Sequence, residues 1–158
     1  MLRISKLTDY GTIILVELAA ADHDNVVSAA ELASTTRIGA ATVSKLLKLL
    51  GRADIVSSTR GAGGGYQLAR PPAEISAADI IDALEGPLSI TECSSEDSNC
   101  DFEDVCNVGG AWQRINAAIR AALDDVSLAD LVTSNQRPAG FSFAGVPINI
   151  EPVQGKKT

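Results

Sequence analysis

Apolar positions recur at helical spacing through the first third of the chain. Over residues 5–21, Leu7, Tyr10, Ile14 and Leu18 fall on one face, which predicts a helix with Ser5 as its N-cap. A polar break covers His23 to Val27. Ser28 then opens a short helix, AAELAST, with Glu31 three residues on as the partner of a capping box. Thr36–Gly39 reads as a turn, and the next helix runs from about Ala40 to Ala53 with Val43, Leu46, Leu47 and Leu50 on its inner face. Two short helices joined by a short turn are the outline of a helix-turn-helix.

The pattern then changes. Ile55 and Val56 start a strand, Tyr66, Gln67 and Leu68 make a returning one, and Gly61, Gly63, Gly64 and Gly65 lie between them where positive backbone angles are needed. This predicts a β-hairpin with Arg60 near its tip, and a helix-turn-helix followed directly by such a hairpin is a winged helix. Pro71 and Pro72 close the wing. Residues 76–85 predict another helix, capped by Ser76 with Asp79 three residues on. Residues 86–110 have little periodicity and hold every cysteine of the chain. A long irregular connection inside a compact protein usually carries a function. Over residues 111–126, Trp112, Ile115, Ile119, Leu123 and Val126 form one apolar stripe of a further helix, and Ser127 caps a final turn. From Ser134 onward the chain is rich in Pro, Gly and polar residues and is expected to be a mobile tail in which Phe141 and Phe143 dock locally.

The 158 residues amount to one domain, or a small domain with an extension. No stretch approaches the roughly 18–20 uninterrupted apolar residues of a membrane span. The opening MLRISKLTDYG lacks the apolar core and small-residue cleavage site of a secretory signal, so the expected location is cytoplasmic, with no membrane partner. A net charge of −7 argues against a nucleic-acid partner until it is resolved along the chain. Residues 1–70 hold eight Lys/Arg against six Asp/Glu, whereas residues 71–158 hold five against fourteen. Only the first half can face phosphate comfortably. Within it, Arg37, Lys45, Lys48 and Arg52 follow one another with no carboxylate between Glu31 and Asp54, and Arg60 and Arg70 come after.

The start of the 40–53 helix is small and polar: Ala40, Ala41, Thr42, Ser44 and Lys45. An α-helix fits the DNA major groove, where base edges present a distinct code. Thr42 and Ser44 are candidates for base edges, and Lys45 and Lys48 for bases or phosphates. Arg60, with Gly61 beside it, is a candidate for the minor groove, whose negative potential attracts guanidinium. Lys45 and Lys48 read equally well, taken singly, as a solvated helix face. The combination of helix pair, basic helix and glycine-rich wing points to double-stranded DNA.

Cys93, Cys100 and Cys106 are spaced C-x6-C-x5-C within fourteen residues. A secreted scaffold uses an even number of cysteines spread along the chain, so this clustered odd set suggests a metal centre or a redox switch. Thiolates hold iron–sulfur clusters, and a flexible loop can fold three of them around one. The surrounding Glu92, Glu96, Asp97, Asp101, Glu103 and Asp104 raise thiol pKa values, and a bound metal reverses that. Spacing alone leaves open one disulfide with a spare thiol, a zinc site completed by a carboxylate, and an inert acidic loop. The one histidine, His23, reads as a surface residue far in sequence from the cysteines. No catalytic constellation is assembled, so neither an enzyme nor a small-molecule substrate is expected.

RISKLTDYG at the start, VSSTRGAGGGYQLAR at the wing, and three cysteines before a Trp-containing helix together resemble the IscR/NsrR/RirA family of bacterial iron–sulfur winged-helix regulators. The resemblance covers roughly residues 1–133, is most specific at RGAGGGY, and is greatest to the branch that regulates the SUF cluster-assembly operon. It implies a fold that is mainly α with a small β-hairpin wing. A winged helix-turn-helix would occupy residues 1–70, and a connecting helix and cluster loop residues 71–110. A long C-terminal dimerisation helix with a final turn would occupy 111–133, followed by the tail, 134–158.

The resemblance further implies a homodimer on a palindromic operator, probing it with two copies of the 40–53 helix. It makes Cys93, Cys100 and Cys106 the cluster ligands, places Thr42, Ser44 and Lys45 at groove-facing positions, and sends Arg60 to the minor groove. The departure is at the fourth ligand. Housekeeping members have a histidine three residues after the third cysteine, and here that position is Gly109. Nitric-oxide-sensing members use an aspartate from the partner subunit's first helix, which matches Asp9. Three thiolates and an oxygen suit either a 2Fe–2S or a 4Fe–4S cluster. The expected function is a regulator, of repressor type, of cluster-assembly genes. The alternatives are a metal-free thiol–disulfide regulator and a nitric-oxide-sensing repressor.

Overall fold

The computed structural model describes residues 4–21, 25–61, 63–91, 108–134, 141–143 and 146–148. Three helices open the chain: α1 (Lys6–Ala20), α2 (Ala29–Thr36) and α3 (Ala40–Arg52). Their starts follow the sequence closely. Ser5 Oγ accepts from Leu7 N at 3.1 Å, and Ser28 Oγ accepts from Glu31 N at 3.1 Å. The reciprocal half of the expected box at Ser28 is absent among the described residues. Ser76, at the head of α4 (Ala77–Glu85), has both halves: Asp79 N donates to Ser76 Oγ at 3.1 Å and Ser76 N donates to Asp79 Oδ2 at 3.2 Å. Ser127 repeats the arrangement with Asp130 at the head of α6 (Leu128–Ser134).

The wing is β1 (Val56–Thr59) against β2 (Gly65–Leu68), antiparallel, in register Val56↔Leu68 to Thr59↔Gly65. The break after α1 adds to it. Val27 exchanges both backbone bonds with Tyr66, at 2.9 and 2.8 Å, and so lies along the free edge of β2. Gly65 permits that approach, since a Cβ there would stand 2.8 Å from the Val27 carbonyl oxygen.

One core joins segments far apart in sequence. Ile14 and Leu15 of α1, Leu32 of α2, Val43, Leu46, Leu47 and Leu50 of α3, and Ile55 before the wing are buried together with Ile75, Ile80 of α4 and Leu128 of α6. At 25 cal/mol per Å2, each such side chain contributes about 1.5–3 kcal/mol. The α6 start is stitched to the α4 start by Leu128 N→Ile75 O at 2.7 Å and Ala77 N→Val126 O at 2.8 Å. Between these anchored pieces runs α5 (Gly109–Asp124), which starts two residues before the expected helix and buries none of its side chains.

The sequence reading assigns no strand to the tail. The structure places an antiparallel pair there, β3 (Phe141–Phe143) with β4 (Val146–Ile148). Strands of three residues are too short for an alternating pattern to emerge.

Candidate nucleic-acid interface

The α2–α3 turn is three residues long, and its middle residue, Ile38, is buried in the core while its neighbours are exposed. Arg37 closes α2 in the left-handed region at φ 58°, a position that favours glycine or asparagine. Gly39 starts α3 without a side-chain cap; its carbonyl accepts from Thr42 N at 2.9 Å and Val43 N at 3.0 Å. This turn sets α3 across α2 with Val43, Leu46, Leu47 and Leu50 inward. Ala40, Ala41, Ser44, Lys45, Lys48 and Arg52 are left exposed and Thr42 half-exposed.

The exposed face of α3 bears three cations and no carboxylate. Among the described residues the ion pairs belong to Arg70 and Arg120, so Lys45, Lys48, Arg52 and Arg60 keep their charge uncompensated. The wing tip follows directly. Arg60 and Gly61 are exposed, Gly61 holds a φ of 114°, and Gly64 N donates to the Gly61 carbonyl at 3.0 Å to close the loop. Ser44 and Lys48 share a groove with the wing, bordered also by Arg52, Ser58 and Tyr66. The sequence reading singles out Ser44, Lys48 and Arg60 but not Ser58 or Tyr66 as neighbours of α3. That proximity depends on how the hairpin folds back, which no local pattern encodes.

Of the candidate metal ligands, Cys93, Cys100 and Cys106 lie outside the described residues, as does His23, expected as a surface residue. Asp9 is an exposed carboxylate in the first turn of α1. Among the described residues no group of three or more His, Cys, Asp or Glu is arranged to hold a metal.

The flanks of the cysteine segment are described, and they are tied down. On the near side, Leu88 N donates to Asp82 Oδ1 at 3.1 Å and Asn116 Nδ2 donates to the Leu88 carbonyl at 3.1 Å. Arg120 of α5 grips the other oxygen of Asp82 at 2.8 Å, and that carboxylate holds the guanidinium pKa above its usual value. Glu85, at the end of α4, accepts from Ser5 N at 3.2 Å, from Ser5 Oγ, and from Thr8 Oγ1 at 2.5 Å. These hydroxyl bonds hold the Glu85 carboxyl below the ordinary glutamate range. Glu85 thus sits against the N-terminus of α1, where a helix dipole favours negative charge.

Residues 4–134 match the model of the Rrf2 family, described as iron-dependent transcriptional regulators. An HTH-type transcriptional regulator of Azotobacter vinelandii, ORF2, is 33% identical over 131 residues, covering 83% of this chain and 79% of the relative. Among solved structures, CymR (YrzC), the global cysteine regulator of B. subtilis, aligns with a TM-score of 0.65 at 34% identity, over 84% of this chain and 98% of that one. IscR of T. potens aligns with a TM-score of 0.63 at 29% identity, over 85% of this chain and 88% of that one. These relatives are regulators, not enzymes. No helix of the described residues is long and apolar enough to cross a membrane. The exposed basic helix, the glycine-built wing and these likenesses agree: the chain belongs to the Rrf2 family and is a DNA-binding, winged-helix transcription regulator.

Proposed function

We propose that the protein is a homodimeric repressor of iron–sulfur cluster assembly genes whose DNA affinity follows a labile cluster on Cys93, Cys100 and Cys106. One observation carries this reading: all three thiols stand in the single segment that joins the DNA-binding body to α5, a helix that buries none of its side chains. The donor set fits the group, since thiolates are the ligands of iron–sulfur clusters. The partner subunit's Asp9 would be the fourth ligand. A cluster held by three thiolates and one carboxylate would be a bound state that iron shortage or oxidants remove. The likeness to IscR and the family's iron-dependent description support the reading.

The remaining parts are argued from the chain. On α5, Trp112 and Ile115 are 37% and 44% exposed, and Val108 just before it is 57% exposed. A second α5 covering this stripe would form a two-fold interface, the commonest symmetry of soluble oligomers. Two copies of α3 then meet two half-sites about one helical turn apart, with Thr42, Ser44, Lys45 and Lys48 in successive major grooves and Arg60 and Gly61 at the minor groove. Because Asp82, Asn116 and Arg120 bind Leu88, α4 and α5 into one unit, a rearrangement between residues 91 and 108 loads α4 and α5 together. A shift in the spacing of the two α3 helices changes affinity for a fixed operator.

The likeness to Staphylococcus aureus CymR, solved in an oxidized form, favours a second reading, in which the same thiols act as a metal-free disulfide switch. A visible absorption spectrum of anaerobically purified protein, with iron and sulfide assayed on the same sample, decides between them. Brown protein with acid-labile sulfide is the expected result. Colourless protein lacking both after reconstitution, with reversible disulfide formation, would leave the thiol switch in its place.

A further inference from the structure

The start of α1 and the end of α4 meet at a single carboxylate oxygen. Glu85 Oε1 accepts from Ser5 N at 3.2 Å, from Ser5 Oγ, and from Thr8 Oγ1 at 2.5 Å. Thr8 is buried, although its side chain is polar. One turn further along, Gly11 packs so closely on the buried Leu84 that a Cβ there would overlap it. Hydrogen bonds and packing thus make one joint of two helices far apart in sequence.

The joint stands between two places that matter to the thiol segment. On its α1 side, Asp9 follows Thr8 directly, and Asp9 N donates to the Ser5 carbonyl at 3.4 Å within the same turn. On its α4 side, Glu85 is followed by Gly86, whose φ of 94° suits glycine, and then by Leu88. Asp82 and Asn116 hold the Leu88 backbone at 3.1 Å each. Leu88 lies only five residues before Cys93. Within one protomer, the turn that carries Asp9 and the root of the cysteine segment therefore form one rigid unit.

In a two-fold dimer this has a consequence, resting on the reading that each cluster takes three thiolates and the partner subunit's Asp9. Each protomer then gives thiols to one cluster and Asp9 to the other. The joint fixes those two contributions relative to each other. When the first cluster aligns the cysteine root of one protomer with α1 of its partner, the two-fold brings the other pair into the same alignment. The ordering cost falls on the first binding event and is absent from the second. We propose that the Ser5–Thr8–Glu85 joint couples the two clusters of the dimer, so that one cluster raises the affinity for the other. Dimers are then mostly empty or fully loaded, and the response to cluster supply is steeper than that of two independent sites.

The test loads the full-length apo dimer anaerobically with substoichiometric iron and sulfide, and native mass spectrometry counts dimers holding no, one or two clusters. The same distribution should be reached by chelation of the loaded protein. Independent sites leave about half of the dimers singly loaded at half saturation, whereas a coupling of about fivefold or more lowers that share to about a third or less. Glu85→Ala and Thr8→Val, with circular dichroism matching the parent, should restore the statistical share. In the apo protein both variants should also speed hydrogen exchange in the first turn of α1 and in residues 86–91 together. A statistical share in the parent protein, with clusters bound, would overturn the coupling and leave the cluster reading intact. A depleted singly loaded share that persists in both variants would overturn the assignment to this joint. Dimers that take up no cluster at all would overturn the cluster reading, and the coupling with it.

Discussion

Helices α3 and α5 are both amphipathic and of similar length, 13 and 16 residues, yet α3 buries four apolar side chains to 1% exposure or less and α5 buries none. Periodicity names the apolar face of a helix but not what will cover it. For α3 the cover is inside the chain: α1, α2 and α4 pack on it and the wing begins beside it. For α5 the main packing partner among the described residues is α4, while Trp112 and Ile115 remain open to solvent. At its far end the chain returns to the common core through Leu128, which is fully buried. The helix is therefore held at its flanks and left bare along one face, as expected of an element whose partner is another molecule.

The sharpest way to break this contrast is to truncate one apolar residue on each helix. Leu46→Ala should cost about 2–5 kcal/mol in chemical denaturation, since Leu46 is fully buried and its removal leaves a cavity. Ile115→Ala should cost little in dilute protein. Its effect should instead appear as a lower melting temperature whose deficit depends on protein concentration, because only an associated form is held together there. An equal, concentration-independent loss of stability at both sites would mean that α5 is covered from within the chain.

The seam between α1 and α4 gives the next largest effect. A Cβ at Gly11 would overlap the side chain of Leu84, which is itself buried. Gly11→Ala should therefore destabilise the protein by about 1–3 kcal/mol, as overpacking does, although alanine is the better helix former. Wild-type stability in that variant would show that the two helices can separate slightly at no cost.

What the sequence made legible follows the range of the interactions. Helix starts depend on a residue and its neighbour two or three positions on, so Ser5, Ser28, Ser76 and Ser127 could be read directly as caps. The wing depends on a run of glycines between two short β-rich segments, again local. The bridge from Val27 to Tyr66 and the groove shared by Lys48 and Tyr66 join residues 39 and 18 positions apart, and nothing along the chain announces them. Asp82, Asn116 and Leu88 belong to the same class. Each reads as an ordinary polar or apolar residue until α4 and α5 are laid side by side. The three cysteines were conspicuous from the start because chemistry, not packing, makes them so.

A second glycine sharpens the comparison from the side of α3. Gly51→Ala meets no crowding, since the nearest neighbour of the added carbon is at 3.6 Å. It should stabilise the protein by up to about 1 kcal/mol, the helix-propensity difference, with thermal denaturation as the readout. Gly11 and Gly51 thus make a pair: one glycine is required by packing, and replacing it should cost stability, while the other borders an open groove without crowding, and replacing it should raise stability. A loss of stability at Gly51 would place an unexpected constraint at the end of α3.

The smallest effect belongs to Glu85, which stands where the packed body hands over to the cysteine segment. Its carboxylate is exposed, so screening limits what its bonds to Ser5 and Thr8 are worth. The sign is nonetheless fixed. A carboxyl whose folded pKa lies below the ordinary 4.5 binds its proton less readily in the folded state than in the unfolded chain. Its contribution is therefore full above that value and is lost as pH falls through the folded pKa. Glu85→Gln keeps the shape and an accepting oxygen but removes the charge. The wild-type protein should be the more stable of the two near neutral pH, and the two denaturation curves should converge as the pH drops below 4.5. A stability difference that persists unchanged into strong acid would mean that Glu85 serves α1 through packing alone, and that the link between the N-terminus of α1 and the end of α4 is not electrostatic.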